Sequence, residues 1–207
     1  MSIKKGLVGL GAAVVIALAG VSSAAAAGNA HQSATPAKKG KIVFSYGPRT
    51  GKPPAKLGPY KMKRIPPDKP KTPTEVTSVK GPTGKIRFSE SAFHLKIGAG
   101  AEEWKTWSNG YKGSIYWIDY DEGGNTTVVL TLPKHTKAFY VYVEPNEFKT
   151  HDLSATAQNG VTSGDTKVLG DAGAEYFGFY ATGKQVLTKI TVTCNDDFAL
   201  GEFGIAK

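Results

Sequence analysis

The stretch from Ala138 to Ile205 constrains the fold more than any other part of the chain, because it consists of short alternating segments separated by turn signals. In Ala138–Glu144 the residues Phe139, Val141 and Val143 alternate with Tyr140 and Tyr142, the period of a strand with one face buried and the other in water. Phe177 and Phe179 alternate with Tyr176, Gly178 and Tyr180, and Ile190 and Val192 continue the pattern. Breakers at Asn159-Gly160, Gly164-Asp165, Gly170-Asp171, Gly183-Lys184 and Asn195-Asp196-Asp197 recur roughly every 8–12 residues, the spacing of an antiparallel sandwich or barrel. An α/β core needs helical crossovers, and these segments leave no room for them. The expectation is an all-β antiparallel sandwich over residues 75–207.

The N-terminus reads as a leader. Lys4 and Lys5 form a basic start, and Gly6 to Val21 is an apolar run too short and too glycine-interrupted for a membrane span. Ser22–Ala27 then supplies small residues for cleavage. Residues 1–27 are therefore expected to be a secretory signal cut near Ala26 or Ala27, and the mature chain to be secreted, extracellular or periplasmic. No second apolar run of spanning length follows, so no transmembrane anchor is expected after cleavage. The 207 residues allow one domain plus appendages, a usual domain being roughly 100–200 residues. Cys194 is the only cysteine, so no intramolecular disulfide can form and core burial must supply the stability. It lies in phase with Ile190 and Val192, which predicts a buried, inert thiol.

Charge divides the chain. Pro36 to Arg87 carries 14 Lys and Arg against Asp68 and Glu75, whereas Phe88 to Lys207 carries 10 Lys against 15 Asp and Glu. Most prolines fall in the basic half. Proline removes backbone donors and like charges repel, so 28–74 reads as an extended basic arm, either mobile or laid across the domain, with an edge strand at 41–46. Such an arm is either neutralised within the chain or held against an anionic cell-surface component. Only Tyr60 and Met62 interrupt its charges with stacking or apolar groups. Nucleic-acid recognition interleaves several aromatics with basic residues, so no specific nucleic-acid partner is expected.

Glu75–Val79, Lys85–Phe88 and Phe93–Ile97 read as three further strands. In the last, Phe93, Leu95 and Ile97 are expected to point inward and His94 to face solvent. Between glycines at either end, Gly98–Gly113 gathers Trp104, Trp107 and Tyr111 in a polar segment. Flat rings with a polar edge suit binding to apolar surfaces and sugar rings, with Glu103 and Asn109 placed to hydrogen-bond hydroxyls. The competing reading is that a tryptophan here caps one end of the core.

Acidic turns form a second candidate. Asp119 and Asp121 crowd one turn, Glu144 and Glu147 another, and Asp196 and Asp197 a third. Oxygen ligands in loops suit a structural calcium ion, although no twelve-residue EF-hand spacing is present and turn chemistry also accounts for these residues. Glu102 paired with Asp119 or Glu144 could serve as acid and base for glycoside hydrolysis. No nucleophile motif, HExxH, phosphate loop or histidine cluster accompanies them, and catalysis ranks below binding.

The runs TLPKHTKAFYVYVEPNEF from Thr131 and AEYFGFYATGKQVLTKITVTCNDDFALGEFGIAK from Ala174 resemble the secreted bacterial β-sandwich proteins that often carry PEP-CTERM sorting tails. The resemblance spans roughly Tyr111 to Lys207, about half the chain, as a pattern of strand and turn positions. It implies export and a jelly-roll or galactose-binding-like sandwich, and it implies no catalytic residues. The chain departs from it after Gly204, with no Pro-Glu-Pro motif, transmembrane stretch or basic tail.

The functional expectation is a non-catalytic domain binding a polysaccharide or cell-envelope component through Trp104, Trp107 and Tyr111. Two alternatives stand beside it. One is a matrix protein that assembles through the opposite charges of arm and domain, the other a glycoside-active enzyme.

Overall fold

The structure, a computed structural model, describes residues 40–68, 73–98, 104–119, 125–146 and 149–207. The expected signal at 1–27, the arm at 28–39 and 69–72, and Glu102, Glu103, Asp121, Glu122 and Glu147 lie outside the described residues. One compact unit, Ala37–Lys207, holds everything described.

Fourteen strands follow one another among the described residues. They are β1 (Ile42–Ser45), β2 (Lys56–Leu57), β3 (Tyr60–Lys61), β4 (Lys63–Arg64), β5 (Thr74–Gly81), β6 (Gly84–Lys96) and β7 (Ser114–Ile118), then β8 (Thr126–Thr136), β9 (Ala138–Pro145), β10 (Thr150–Ala157), β11 (Thr166–Leu169), β12 (Glu175–Ala181), β13 (Leu187–Cys194) and β14 (Phe198–Ala206). The fold is all-β. Apart from the small β2–β3 ribbon, these strands form one antiparallel sheet in the order β1-β12-β9-β14-β7-β6-β8-β13-β10-β11, with β5 also on β6 and β4 also on β14. The sheet curls on itself, bringing β13 against β9 and β12, and β8 against β14. A sandwich results, its core filled by alternate residues of both layers.

Two strands manage the curl. Along one edge of β6, Arg87 and Phe88 pair with β8, and Phe93 to Lys96 pair with β7. β7 belongs to one layer and β8 to the other, so β6 is the seam and the two strands fork apart beside it. On β14 a similar handover occurs. Phe198 to Gly201 pair with β7, Gly204 and Ile205 pair with β4, and the register slips between them.

The inward residues match the alternation in the sequence: Phe139, Val141, Val143, Phe177, Phe179, Ile190, Val192, Phe198 and Phe203 all belong to the central core. Cys194 is fully buried there, and burial pushes its thiol up to about 11. The opposite face of β9 and β12 differs from the sequence expectation. Tyr140 and Tyr142 are completely buried instead of wet, and Tyr176 almost so. The described part of the basic arm supplies their cover, with Leu57 and Met62 buried against them and Tyr60 beside them. Tyr142 Oη donates to the Pro48 carbonyl (3.0 Å), Tyr60 Oη to that of Ala181 (2.7 Å), and the Ile65 N–H to that of Phe203 (2.9 Å). Lys56, Lys61, Lys63 and Arg64 meanwhile face solvent. The segment is thus amphipathic at short range, with a few apolar anchors under a basic surface, and β1 forms the edge strand expected at 41–46.

Within β6 the alternation has the expected phase but opposite faces. Leu95 and Ile97 pack outward, with Phe93 at the rim, in a cluster with Trp104 and Ile115. His94 lies on the core side and does not face solvent freely: its side chain is 12% exposed, its ring stacks on Tyr116 at 4.8 Å, and its Nε2 sits 2.9 Å from Asp68 Oδ1. Bending the sheet at the seam moves the far half of β6 to the edge of the core, where the side turned away from the core is roofed by the aromatic loop.

Candidate functional site

β14 prepares the outer face for that loop. Its inward positions are Phe198, Leu200, Phe203 and Ile205; its outward ones are Ala199, Gly201, Gly204 and Ala206. Small outward residues leave room for rings from elsewhere. A Cβ on Gly204 would meet the Tyr140 ring at 2.2 Å, and one on Gly201 would meet Trp107 at 2.7 Å. Trp107 therefore packs against the outer face of β14, at the junction of the tyrosine cluster and the Trp104 cluster.

The loop residues singled out in the sequence come together on this face, but as a packed layer rather than an open platform. Trp104 is buried, 8% exposed, in the outer-face cluster with Leu95, Ile97, Ile115 and Ala199, so this ring packs against the outside of the sheet. Trp107 and Tyr111 are half-buried, their ring centres 6.1 Å apart. Asn109 takes a left-handed backbone, φ 63°, in a one-turn 3-10 segment at Ser108–Gly110, and its Nδ2 donates to Glu202 Oε2 (3.4 Å). Thr106 and Ser108 hydroxyls donate to Glu144 and to the Ala174 carbonyl, tying the loop to β9 and to the chain entering β12.

Glu202 was not singled out in the sequence. It is the extra residue of the β14 bulge, with φ 50°, and is 9% exposed. Bulges re-aim side chains next to sites, and a non-glycine residue held left-handed costs on the order of 1–3 kcal/mol. Burial raises its carboxyl above the ordinary value, opposed by the Asn109 amide and the Arg64 charge. Beside it Asp68, Tyr111, Ser114 and Tyr116 line a small cavity. A signal for the bulge was present in the sequence: Leu200 and Phe203 are three apart where the alternation requires two.

Across the same face run cross-strand neighbours Phe93, Trp117, Ala199 and Glu144. Phe93 and Trp117 are half-buried, ring centres 5.3 Å apart, at the rim of the Trp104 cluster. Trp117 Nε1 donates to Asp197 Oδ2 (2.5 Å), which also accepts from Asn146 Nδ2 (2.7 Å), so the indole is fixed at its polar edge. Burial is the main cause that pushes the Asp197 carboxyl up to about 6, against the pull of the Trp117 and Asn146 donors.

The acidic residues divide. Asp119 and Asp197 sit at adjacent strand ends, next to the Ile118–Phe198 pair. Asp196 turns away: its Oδ1 accepts the Asp197 N–H (2.8 Å) and its Oδ2 lies 3.6 Å from His151 Nε2. Among the described residues no group of three or more His, Cys, Asp or Glu is gathered as a metal would need. Arg49 of the basic arm pairs with Glu175 of β12 (3.4 Å), an arm charge used within the chain.

A second opening lies at the fork of β7 and β8. It is a cleft of about 500 Å³ lined by Glu90 and Ser91 of β6, Ile118 and Asp119 of β7, and Asn125 to Thr127 at the start of β8.

No family model matches the chain, and no curated protein matches it. Among solved structures, it is similar to the enzymatically active domain of tailspike protein 4 of bacteriophage CBA120, at 10% identity and a TM-score of 0.24. That match covers 82% of this chain and 20% of the tailspike chain, so the protein spans a fifth of that structure's length.

Proposed function

We propose that the protein is an exported, non-catalytic binding domain for a polysaccharide or cell-envelope component. The observation that supports this most is the strip of half-buried rings, Phe93, Trp117, Trp107 and Tyr111, along one outer face of the sandwich. They are held by packing and, at Trp117, by the Asp197 acceptor, and each remains only partly buried. Rigidly held aromatic rings with polar neighbours bind sugar rings at little entropic cost. Glu103, expected to assist, lies outside the described residues; Asn109 is engaged with Glu202. The exposed lysines of the arm add salt-sensitive attachment to anionic surfaces. A calcium ion bound near Asp119 and Asp197 would be structural in this reading. Among the described residues no helix is long and apolar enough to cross a membrane; export rests on the leader-like residues 1–27.

The test is retention of the chain lacking residues 1–27 on insoluble polysaccharides and cell-wall preparations, at low and high salt, with calcium or chelator. Retention that survives high salt and is lost in Trp117→Ala supports the reading. Retention only at low salt leaves the lysines as the whole attachment and removes the aromatic strip from it. Release of reducing ends from any polysaccharide would replace binding with catalysis.

A further inference from the structure

We propose that Lys56, Lys61 and Lys63 form a preset cationic site for an acidic polysaccharide, a step that rests on the glycan-binding reading and names the class of glycan. The hairpin of β2 and β3 builds the site. Gly58, with φ 56°, and Pro59 make its turn, Leu57 pairs with Tyr60, and Lys56 pairs with Lys61. One step further on, the Met62 N–H donates to the Ala55 carbonyl (2.9 Å). Hydrogen-bonded and non-hydrogen-bonded pairs alternate along an antiparallel ladder, so Lys56 and Lys61 occupy a non-hydrogen-bonded pair, where facing side chains lie closest. Lys63 follows on the same side, beyond the buried Met62.

Like charges set directly opposite each other destabilise a ribbon, and no counter-charge offsets them here. Among the described residues, Lys56, Lys61 and Lys63 make no ion pair and no side-chain hydrogen bond. Other cations are used within the chain: Arg49 by Glu175, Lys167 by Asp152, and Lys137 by the carbonyls of Gly183 and Gln185. The ribbon lysines also differ from a solvated tail. Leu57 and Met62 are buried in the tyrosine cluster beneath them, the Tyr60 hydroxyl donates to the Ala181 carbonyl, and the Arg64 guanidinium donates to the Pro53 carbonyl (2.9 Å). Three ammonium groups are thus carried on ordered backbone, about 5 Å apart at the paired Cβ atoms and about 6–7 Å apart along the strand. A polyanion meets them with little further ordering of the chain.

The partner's class follows from what surrounds the charges. Tyr60, the ring of the ribbon, is packed against the tyrosine cluster with its hydroxyl engaged, so the ribbon has no aromatic platform on which bases could stack. Lysines attract as point charges, without the planar fork by which arginine selects one anion geometry. Carboxylate, sulfate and phosphate groups repeated along a glycan all meet that requirement, and an uncharged glycan meets none of it.

The experiment is calorimetric titration of the chain lacking residues 1–27, with chelator, against polygalacturonate, dextran sulfate, unmodified dextran and single-stranded DNA. The variants are Lys56→Glu, the ribbon triple Lys56→Gln/Lys61→Gln/Lys63→Gln, and a control triple Lys85→Gln/Lys134→Gln/Lys189→Gln at lysines exposed elsewhere on the sandwich. Binding of either anionic glycan, none of dextran, and loss of binding as salt rises through about 0.1–0.5 M are the expected results. The ribbon triple should weaken binding roughly tenfold or more and the control triple far less. Lys56→Glu should weaken it too while leaving the melting temperature unchanged or raised, because it sets a carboxylate opposite Lys61. Equal weakening in the two triples would mean that net charge alone attracts the polymer, and overturns the site. Dextran bound as tightly as the anionic glycans, DNA bound more tightly than either, or no binding of either anionic glycan also overturns it. If no anionic glycan titrates while salt-resistant retention on insoluble polysaccharide persists in the ribbon triple, the glycan reading survives and the ribbon assignment falls.

Discussion

The ring of Trp107 rests on the α-carbon of Gly201: a Cβ there would come within 2.7 Å of the indole and 3.1 Å of Ile115 Cγ2. The loop is therefore seated by the absence of a side chain on β14. Gly201→Ala should lift the indole and cost roughly 1–3 kcal/mol, the usual range for overpacking. Thermal unfolding and tryptophan emission together check this; an unchanged melting temperature and spectrum would show that Trp107 is not seated on β14.

Trp104 and Trp117 should separate stability from binding. Trp104 is buried in the outer cluster, and Trp104→Ala is expected to cost about 3–5 kcal/mol. Trp117, half-buried at the rim, should cost less when truncated but should abolish retention on polysaccharide. Equal losses of stability, with retention intact in Trp117→Ala, would assign both rings to packing.

Acid should stabilise this protein over a range where many proteins weaken. The Asp197 carboxyl is pushed from 3.8 up to about 6, so the folded state holds its proton more tightly than the unfolded state. Its contribution is fully present below about pH 4 and is lost as pH rises through 6. Burial raises Glu202 and Glu175 in the same direction. At roughly 1.4 kcal/mol for each pH unit between the two values, melting should occur several degrees higher at pH 5 than at pH 7.5. Asp197→Asn should shrink the difference, and a parental profile that is flat or rises toward pH 7.5 would refute the account.

The basic arm should resist trypsin despite its lysines. Leu57 and Met62 are buried between Lys56 and Arg64, and Ile65 directly after them, and the chain around them is pinned by Tyr142, Tyr60 and the Phe203 carbonyl. Cleavage after Lys56, Lys61, Lys63 and Arg64 is expected only when the sandwich unfolds. Rapid cutting there at a temperature where far-ultraviolet dichroism is native would show that the arm lifts off alone.

Much of this architecture was legible in the sequence, and the rest was hidden for identifiable reasons. Period-two alternation named the core residues of β9, β12 and β13, because one face of a strand declares itself by size. It could not tell that the tyrosine face was also buried, since tyrosine suits both water and a roof, and the roof is a Pro- and Lys-rich segment with a handful of anchors such as Leu57 and Met62. His94 was misplaced because alternation gives phase and not direction, and the seam reverses which face meets the core. The aromatic loop was found by composition, yet only cross-strand register reveals that Phe93 and Trp117 extend it. Glu202 and the fork arise at handovers between neighbouring strands, which no local pattern encodes apart from the slipped spacing of Leu200 and Phe203.

The place of β14 sets the timing of assembly. This strand, the fourteenth in chain order, runs through the middle of its layer, with β9 on one side and β7 and β4 on the other. Until Phe198–Ala206 has been synthesised, β7 and β9 have nothing between them and that half of the sandwich stays open. Early hairpins such as β5–β6 can form during translation, but closure waits for pairings between distant parts of the chain, which places the protein among slow, topology-limited folders. The nascent chain is thus kept from completing its fold by the order in which its strands are made.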